Sequence, residues 1–218
     1  MRHTILLGLL AATTGVATAG SPTLILDDFD ADPNDDAGGP RSLASQVFTD
    51  PFGLGGSFFV ATASNLDSDI GAAVFASGTG VSQEGSITWD NDGAGLALDA
   101  ASLGIVGFEL DFYLVDQAFE GGIVLSSGDG SDANDSAVAF FTVSAGNGLQ
   151  TISLDLGSLD IGAGFDASNV NLVRLYFNQG GETIGLDFAV SEFRAVVPTP
   201  GSLALLAFGG LTAIRRRR

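Results

Sequence analysis

The stretch VGFELDFYLVD, from Val106 to Asp116, alternates apolar and polar side chains residue by residue. Phe108, Leu110, Phe112 and Leu114 fall on one side, while Glu109, Asp111 and Tyr113 fall on the other. A period of two belongs to an extended chain with one face against a core; a helix would place its apolar residues three and four apart. Working outward, Val170–Asn178 repeats the pattern, with Val173, Leu175 and Phe177 inward and Arg174, Tyr176 and Asn178 outward. Thr183–Val190 repeats it again through Ile184, Leu186, Phe188 and Val190. Phe193 is odd-numbered, so the phase slips, and the slip predicts a bulge near Ser191.

Weaker period-two runs occupy 24–29, 57–63, 71–76, 82–89, 95–98, 122–126, 137–144 and 150–154, each bounded by Gly, Asp, Asn or Ser. Trp89-Asp90-Asn91-Asp92-Gly93 has a tight-turn composition, which predicts a hairpin between 82–89 and 95–98. Roughly ten short strands with one apolar face each predict an all-β fold, an antiparallel β-sandwich. The 16 phenylalanines mostly fall at inward positions and supply its core.

Residue types limit the chemistry. The 218-residue chain has no cysteine and no lysine, and its single histidine is His3. Thiol nucleophiles, Ser-His-Asp triads, Schiff bases and ordinary zinc sites are therefore excluded from the body. All 26 acidic residues lie between Asp27 and Glu192, where only Arg41, Arg174 and Arg194 oppose them, a net of −23. Such a body repels phosphate backbones, so no nucleic-acid partner is expected. Carboxylate catalysis needs two acids across a cleft, and among 26 some pair always lies at a workable distance, so composition gives it no support. The chain reads as a non-enzyme.

Both ends read as addresses. Residues 1–19 begin with Arg2 and His3, continue through an apolar run and end Ala17-Thr18-Ala19. This is a signal peptide, with cleavage by signal peptidase expected between Ala19 and Gly20. The other end has Pro198-Thr199-Pro200, an uncharged apolar segment from Leu203 to Ile214, and Arg215, Arg216, Arg217 and Arg218. From Gly201 the segment gives about 21 Å of helix at 1.5 Å per residue. That is short for a ~30 Å hydrocarbon core and suits a transient stop in the inner membrane, with the arginines retained inside. The tail resembles the PEP-CTERM sorting signal of Gram-negative bacteria, with Thr199 where that family usually carries glutamate. The resemblance implies processing by an exosortase-type enzyme at the Pro198–Pro200 motif and delivery to the cell surface or extracellular matrix. The expected organisation is a signal helix over 1–19, a sandwich domain over 20–196 and a sorting tail with a short apolar helix over 197–218.

The body itself resembles the jelly-roll family of galactose-binding-like and carbohydrate-binding modules. LILDDF at 24–29 stands as the opening strand, IGLDFAV at 184–190 as the closing one, with GSITW and GFELDFYLVD between them. The resemblance implies a structural calcium between first and last strands, pairing Asp28 with Asp187. Independently, Asp28, Asp30 and Asp32 alternate within the densest acidic run, Asp27 to Asp36, which offers hard oxygen ligands but equally describes a solvated turn. A second Asp/Asn/Gly cluster spans 128–135, where nothing in the spacing decides between the two. A polysaccharide surface would need exposed rings flanked by hydrogen-bonding groups. Tyr113 beside Glu109 and Asp111, Tyr176 beside Arg174 and Asn178, and Trp89 at its turn are the candidates, provided the tyrosine strands share a sheet. The same rings could merely cover the sandwich.

Overall fold

The computed structural model describes residues 23–30, 36–63 and 70–198. The expected signal peptide with Ala19 and Gly20, Asp32, and the tail from Thr199 through Pro200 to Arg218 lie outside the described residues. Twelve strands follow in order: β1 Thr23–Asp27, β2 Arg41–Thr49, β3 Gly56–Ala63, β4 Ile70–Ser77, β5 Ser82–Trp89, β6 Gly107–Tyr113, β7 Phe119–Ser126, β8 Ser136–Val143, β9 Gln150–Asp155, β10 Asp160–Ile161, β11 Leu172–Phe177 and β12 Phe188–Val196. Among the described residues the one α-helix, α1, spans Ala100–Leu103. Among the described residues no helix is long and apolar enough to cross a membrane.

The strands form two six-stranded antiparallel sheets packed as a sandwich. One runs β3-β4-β12-β6-β9, with β1 also paired to β12; the other runs β10-β8-β7-β11-β5-β2. Alternation delivers one apolar face from each sheet to the core, where Phe108, Leu110, Phe112, Leu175 and Phe177 are all at most 1% exposed. Phe188 stacks on Phe75 and Phe119 with ring centroids 4.9 and 4.7 Å away, and Phe112 meets it edge-on at 5.8 Å. Such aromatic pairs add about 0.5–1.5 kcal/mol each beyond the area they bury.

The expected bulge is present: the pairing of β12 with β6 shifts between Val190 and Glu192. It moves the inward phase from Phe188 and Val190 to Phe193 and Ala195, all of them buried. It also divides β12 between two neighbours. Residues 188–190 pair with β4, and residues 193–196 pair with β1.

Several expectations need correction. β5 does not form a hairpin with 95–98; its neighbours are β2 and β11, and Leu98 makes only an isolated bridge to Val170. The turn after Trp89 exists, with Gly93 and Gly95 N–H donating to the Asp90 carbonyl, but it leads the chain away. β6 ends one residue before Leu114, whose φ of 54° turns it outward to 62% exposure. Asn178, read as outward, is buried in a left-handed turn, where its Nδ2 donates to the carbonyls of Gln83 and Thr183. Ile184 lies before β12 and is 55% exposed. β2, whose side chains are mostly exposed, shows little apolar alternation and was not expected as a strand.

Candidate functional site

The acidic run after β1 forms the first candidate. β1 pairs with β12 through Ile25↔Arg194 and then Asp27↔Phe193, so one extra residue, Leu26, sits between the two pairs. That bulge reverses the facing of everything after it. Ile25 stays outward, whereas Asp27 turns into the core and is fully buried. Its Oδ1 accepts hydrogen bonds from Phe29 N–H and Arg41 Nη1, and its Oδ2 accepts one from Trp89 Nε1, each at 2.7 Å. Arg41 continues to the Asp30 carbonyl at 2.8 Å and lies 5.6 Å from the Phe29 ring centroid. Burial pushes the Asp27 carboxyl above its ordinary value, against the opposing pull of Arg41 and the bonds from Trp89 and Phe29.

Around this anchor the chain folds back on itself. Asp28 N–H donates to Asp36 Oδ2 at 3.1 Å, and Asp30 N–H donates to Asp28 Oδ1 at 3.1 Å. One carboxylate oxygen from each of Asp27, Asp28 and Asp36 lies within 4.8 Å of the other two. Calcium–oxygen distances of about 2.3–2.6 Å would let a single ion span that triangle, with carbonyls and water completing six to eight ligands. Arg41 cancels one of the three charges, leaving a net charge that matches a divalent ion. The cluster could therefore hold a metal ion.

Its membership differs from the expected set. Asp28 is in the cluster; Asp30 lies beside it; Asp32 lies outside the described residues. Asp187 is elsewhere. It precedes β12, while β1 pairs only with residues 193–196, so about six residues of extended chain, roughly 20 Å, intervene. There its Oδ1 accepts from Ser77 N–H, and its own N–H donates to Asp116 Oδ1. Asp27 and Asp36 were legible only as members of an acidic run, because no sequence signal shows the bulge that turns Asp27 inward.

The second candidate concerns the aromatic positions. Trp89 is 1% exposed, packed 5.0 Å from the Phe193 ring and 6.4 Å from Phe29. It ends β5 at an inward position and cannot stack on a sugar. Tyr113 and Tyr176 do not share a surface, since β6 and β11 belong to different sheets. On the β6 face, Arg194 donates to Glu109, Asp111 and Glu192 at 2.6–2.8 Å, and Thr151 Oγ1 donates to Asp111 at 2.6 Å. The bonds to these carboxylates hold the guanidinium proton more tightly than usual. The acids near Tyr113 are thus already engaged within the sheet.

The β11 face is arranged differently. Register places Phe140, Gly122, Tyr176, Ser86 and Ala44 in one outward row across β8, β7, β11, β5 and β2. The adjacent row holds Val138, Val124, Arg174, Thr88 and Ser42. Phe140 is 67% exposed and leans over Gly122, where a Cβ would meet its ring carbon at 3.2 Å. Arg174 Nε donates to Thr88 Oγ1 at 2.8 Å and Nη1 to Tyr176 Oη at 3.1 Å. Two rings flank a glycine beside a pinned guanidinium, and the Arg174 row ends on β10 at Asp160, which pairs with Val138. Sequence reading singled out Tyr176 and Arg174 but not Phe140, because only cross-strand register shows which phenylalanine stands beside them.

Comparison with known proteins places the fold. No protein-family model matches the chain, and no curated protein matches it. Among solved structures, it is similar to a family 11 carbohydrate-binding module from Clostridium thermocellum in complex with a beta-1,3-1,4-mixed-linked tetrasaccharide, with TM-score 0.51 and 14% identity over 83% of this chain and 98% of that one. It is also similar to the solution structure of CtCBM11, with TM-score 0.50 and 15% identity over 84% and 99% of the two chains. At these identities the likeness is one of fold, the jelly-roll sandwich of carbohydrate-binding modules.

Proposed function

We propose that this chain is an exported, non-catalytic protein of the cell surface or extracellular matrix that retains polysaccharide on the outer face of the sheet containing β11. The observation that carries the reading is the Tyr176–Gly122–Phe140 row beside Arg174. Exposed rings offer their faces to the apolar side of pyranoses, the missing side chain at Gly122 lets the Phe140 ring lie down over the sheet, and fixed donors set the orientation of a bound chain. A sandwich fold shared with carbohydrate-binding modules is consistent with that use. On the opposite face the carboxylates around Tyr113 are held by Arg194 and are not available as an acid–base pair.

In this reading calcium is structural, held by Asp27, Asp28 and Asp36 where β1 leaves the sheet. The address is supplied by the two ends: signal peptidase acts near Ala19, and an exosortase-type enzyme removes the tail beyond Pro198–Pro200 while Arg215 to Arg218 hold it at the inner membrane. Co-sedimentation of the protein with its host's extracellular polysaccharide, with calcium and with chelator, tests the binding. Saturable binding that soluble polysaccharide competes away is the expected result. Absence of binding in both conditions would leave a displayed structural domain instead.

A further inference from the structure

Of the three arginines in the described residues, two are spent inside the protein. Arg41 pairs with Asp27 at 2.7 Å, and Arg194 pairs with Glu109, Asp111 and Glu192. Arg174 is the exception: among the described residues it makes no ion pair, in a body whose net charge is −23. A guanidinium has five N–H donors. Here one is used on Thr88 Oγ1 and one on Tyr176 Oη, which leaves three without a partner among the described residues on a half-buried head. The head lies 5.9 Å from the Tyr176 ring centroid, so it leans along the strand toward the aromatic row and away from Asp90, the nearest outward carboxylate by register.

Acids border the two rows, but among the described residues none of them pairs with the Arg174 guanidinium. Glu84 and Glu120 stand two residues from Ser86 and Gly122 and four from Thr88 and Val124, about 7 and 13 Å at ~3.3 Å per residue, and Asp90 stands two residues from Thr88. Asp160 is three strands away, about 14 Å at ~4.8 Å per strand. Arg174 is the one cation on this face among the described residues, and its unpaired N–H groups are the feature there that an anionic group would meet.

We infer that the occupant of this face is an acidic glycan, with a uronate carboxylate on the free N–H groups of Arg174 and the sugar rings lying on Tyr176 and Phe140. The inference rests on the polysaccharide-binding reading and narrows it. A planar guanidinium presents paired N–H groups at the spacing of two carboxylate oxygens, and these charge-assisted bonds are about twice as strong as neutral ones. Pinning by Thr88 and Tyr176 removes much of the ordering cost that a free arginine would bear on binding.

Calorimetric titration of the protein with a short oligogalacturonate, its methyl ester and a neutral β-glucan oligosaccharide at about 0.15 M salt tests this. The ester keeps the ring and removes the charge. Binding of the acid at least tenfold tighter than the ester, lost in Arg174→Gln and weakened in Arg174→Lys, is the expected result. Both variants should fold, because Arg174 contributes only two hydrogen bonds to the protein; should Arg174→Gln fail to fold, the Arg174→Lys comparison carries the test. Equal or tighter binding of the ester or the neutral glucan would overturn the acidic-glycan inference and leave the polysaccharide reading standing. Binding of none of the three would overturn the inference and, with failed co-sedimentation, that reading too.

Discussion

The indole N–H of Trp89 donates to the Asp27 carboxylate in the core at 2.7 Å, across 62 residues of chain. The bond joins the end of β1 in one sheet to the end of β5 in the other, and Arg41 on β2 completes the same carboxylate from its second oxygen. Asp27→Ala would leave a buried guanidinium and an indole N–H without their acceptor. Breaking one partner of a buried pair typically costs about 3–5 kcal/mol, so urea unfolding should show a loss of that order. A loss below about 1 kcal/mol would show that water replaces the carboxylate.

Because burial raises the Asp27 pKa above the ordinary 3.8, the native state holds its proton more tightly than the unfolded chain does. The unfolded state then binds fewer protons between 3.8 and the raised value, and stability from this group falls as pH rises through that window. Asp27→Asn removes the titration. The stability gap between wild type and Asp27→Asn should therefore widen as pH is lowered from 7 toward about 4. A gap that narrows toward acid would mean that Arg41 outweighs burial.

For the acidic cluster, calcium binding only to the native state stabilises by about 2.7 kcal/mol at a hundredfold excess over its dissociation constant. The melting temperature should rise with millimolar calcium and fall with chelator. Asp28→Asn and Asp36→Asn should abolish the difference, while Asp187→Asn should preserve it. An equal response to magnesium would reduce the effect to general screening of a −23 body.

The two outer faces can be separated by mutation. Tyr176→Ala and Phe140→Ala should each weaken polysaccharide retention about tenfold, the equivalent of ~1.4 kcal/mol, with little change in melting temperature. Tyr113→Ala should leave retention intact. Should Tyr113→Ala alone abolish it, the binding face has been assigned to the wrong sheet.

Arg194 ties β6 to β12 through three carboxylates on a partly exposed face. Arg194→Met would leave those acids facing one another without a counter-charge. Thermal unfolding should show destabilisation that added salt partly reverses, since screening acts on the exposed members. A salt-independent loss would point instead to the packing of the arginine stem.

Much of the architecture was legible in the chain itself. Period-two runs such as Phe108–Phe112 and Val173–Phe177 mark strands because extended geometry alone dictates which side chains share a face. The phase slip before Phe193 marked the bulge at Ser191 for the same reason. Residue types excluded whole classes of chemistry without any coordinates. These are local or compositional properties, carried by a few consecutive residues or by their totals.

What needed the tertiary structure was partnership. A one-residue bulge at Leu26 decides that Asp27 enters the core, and no local pattern announces it. Trp89 borders a turn in sequence yet faces Phe193, and Tyr113 and Tyr176 look alike in their strands but lie on opposite sides of the sandwich. Phe140 becomes a neighbour of Tyr176 only through the register of β8, β7 and β11. Facing changes with a single residue of register, and register is set by contacts between strands far apart in sequence. For that reason most strands and single members of each site, such as Asp28, Arg174 and Tyr176, could be read from the chain, but the neighbours that complete those sites could not.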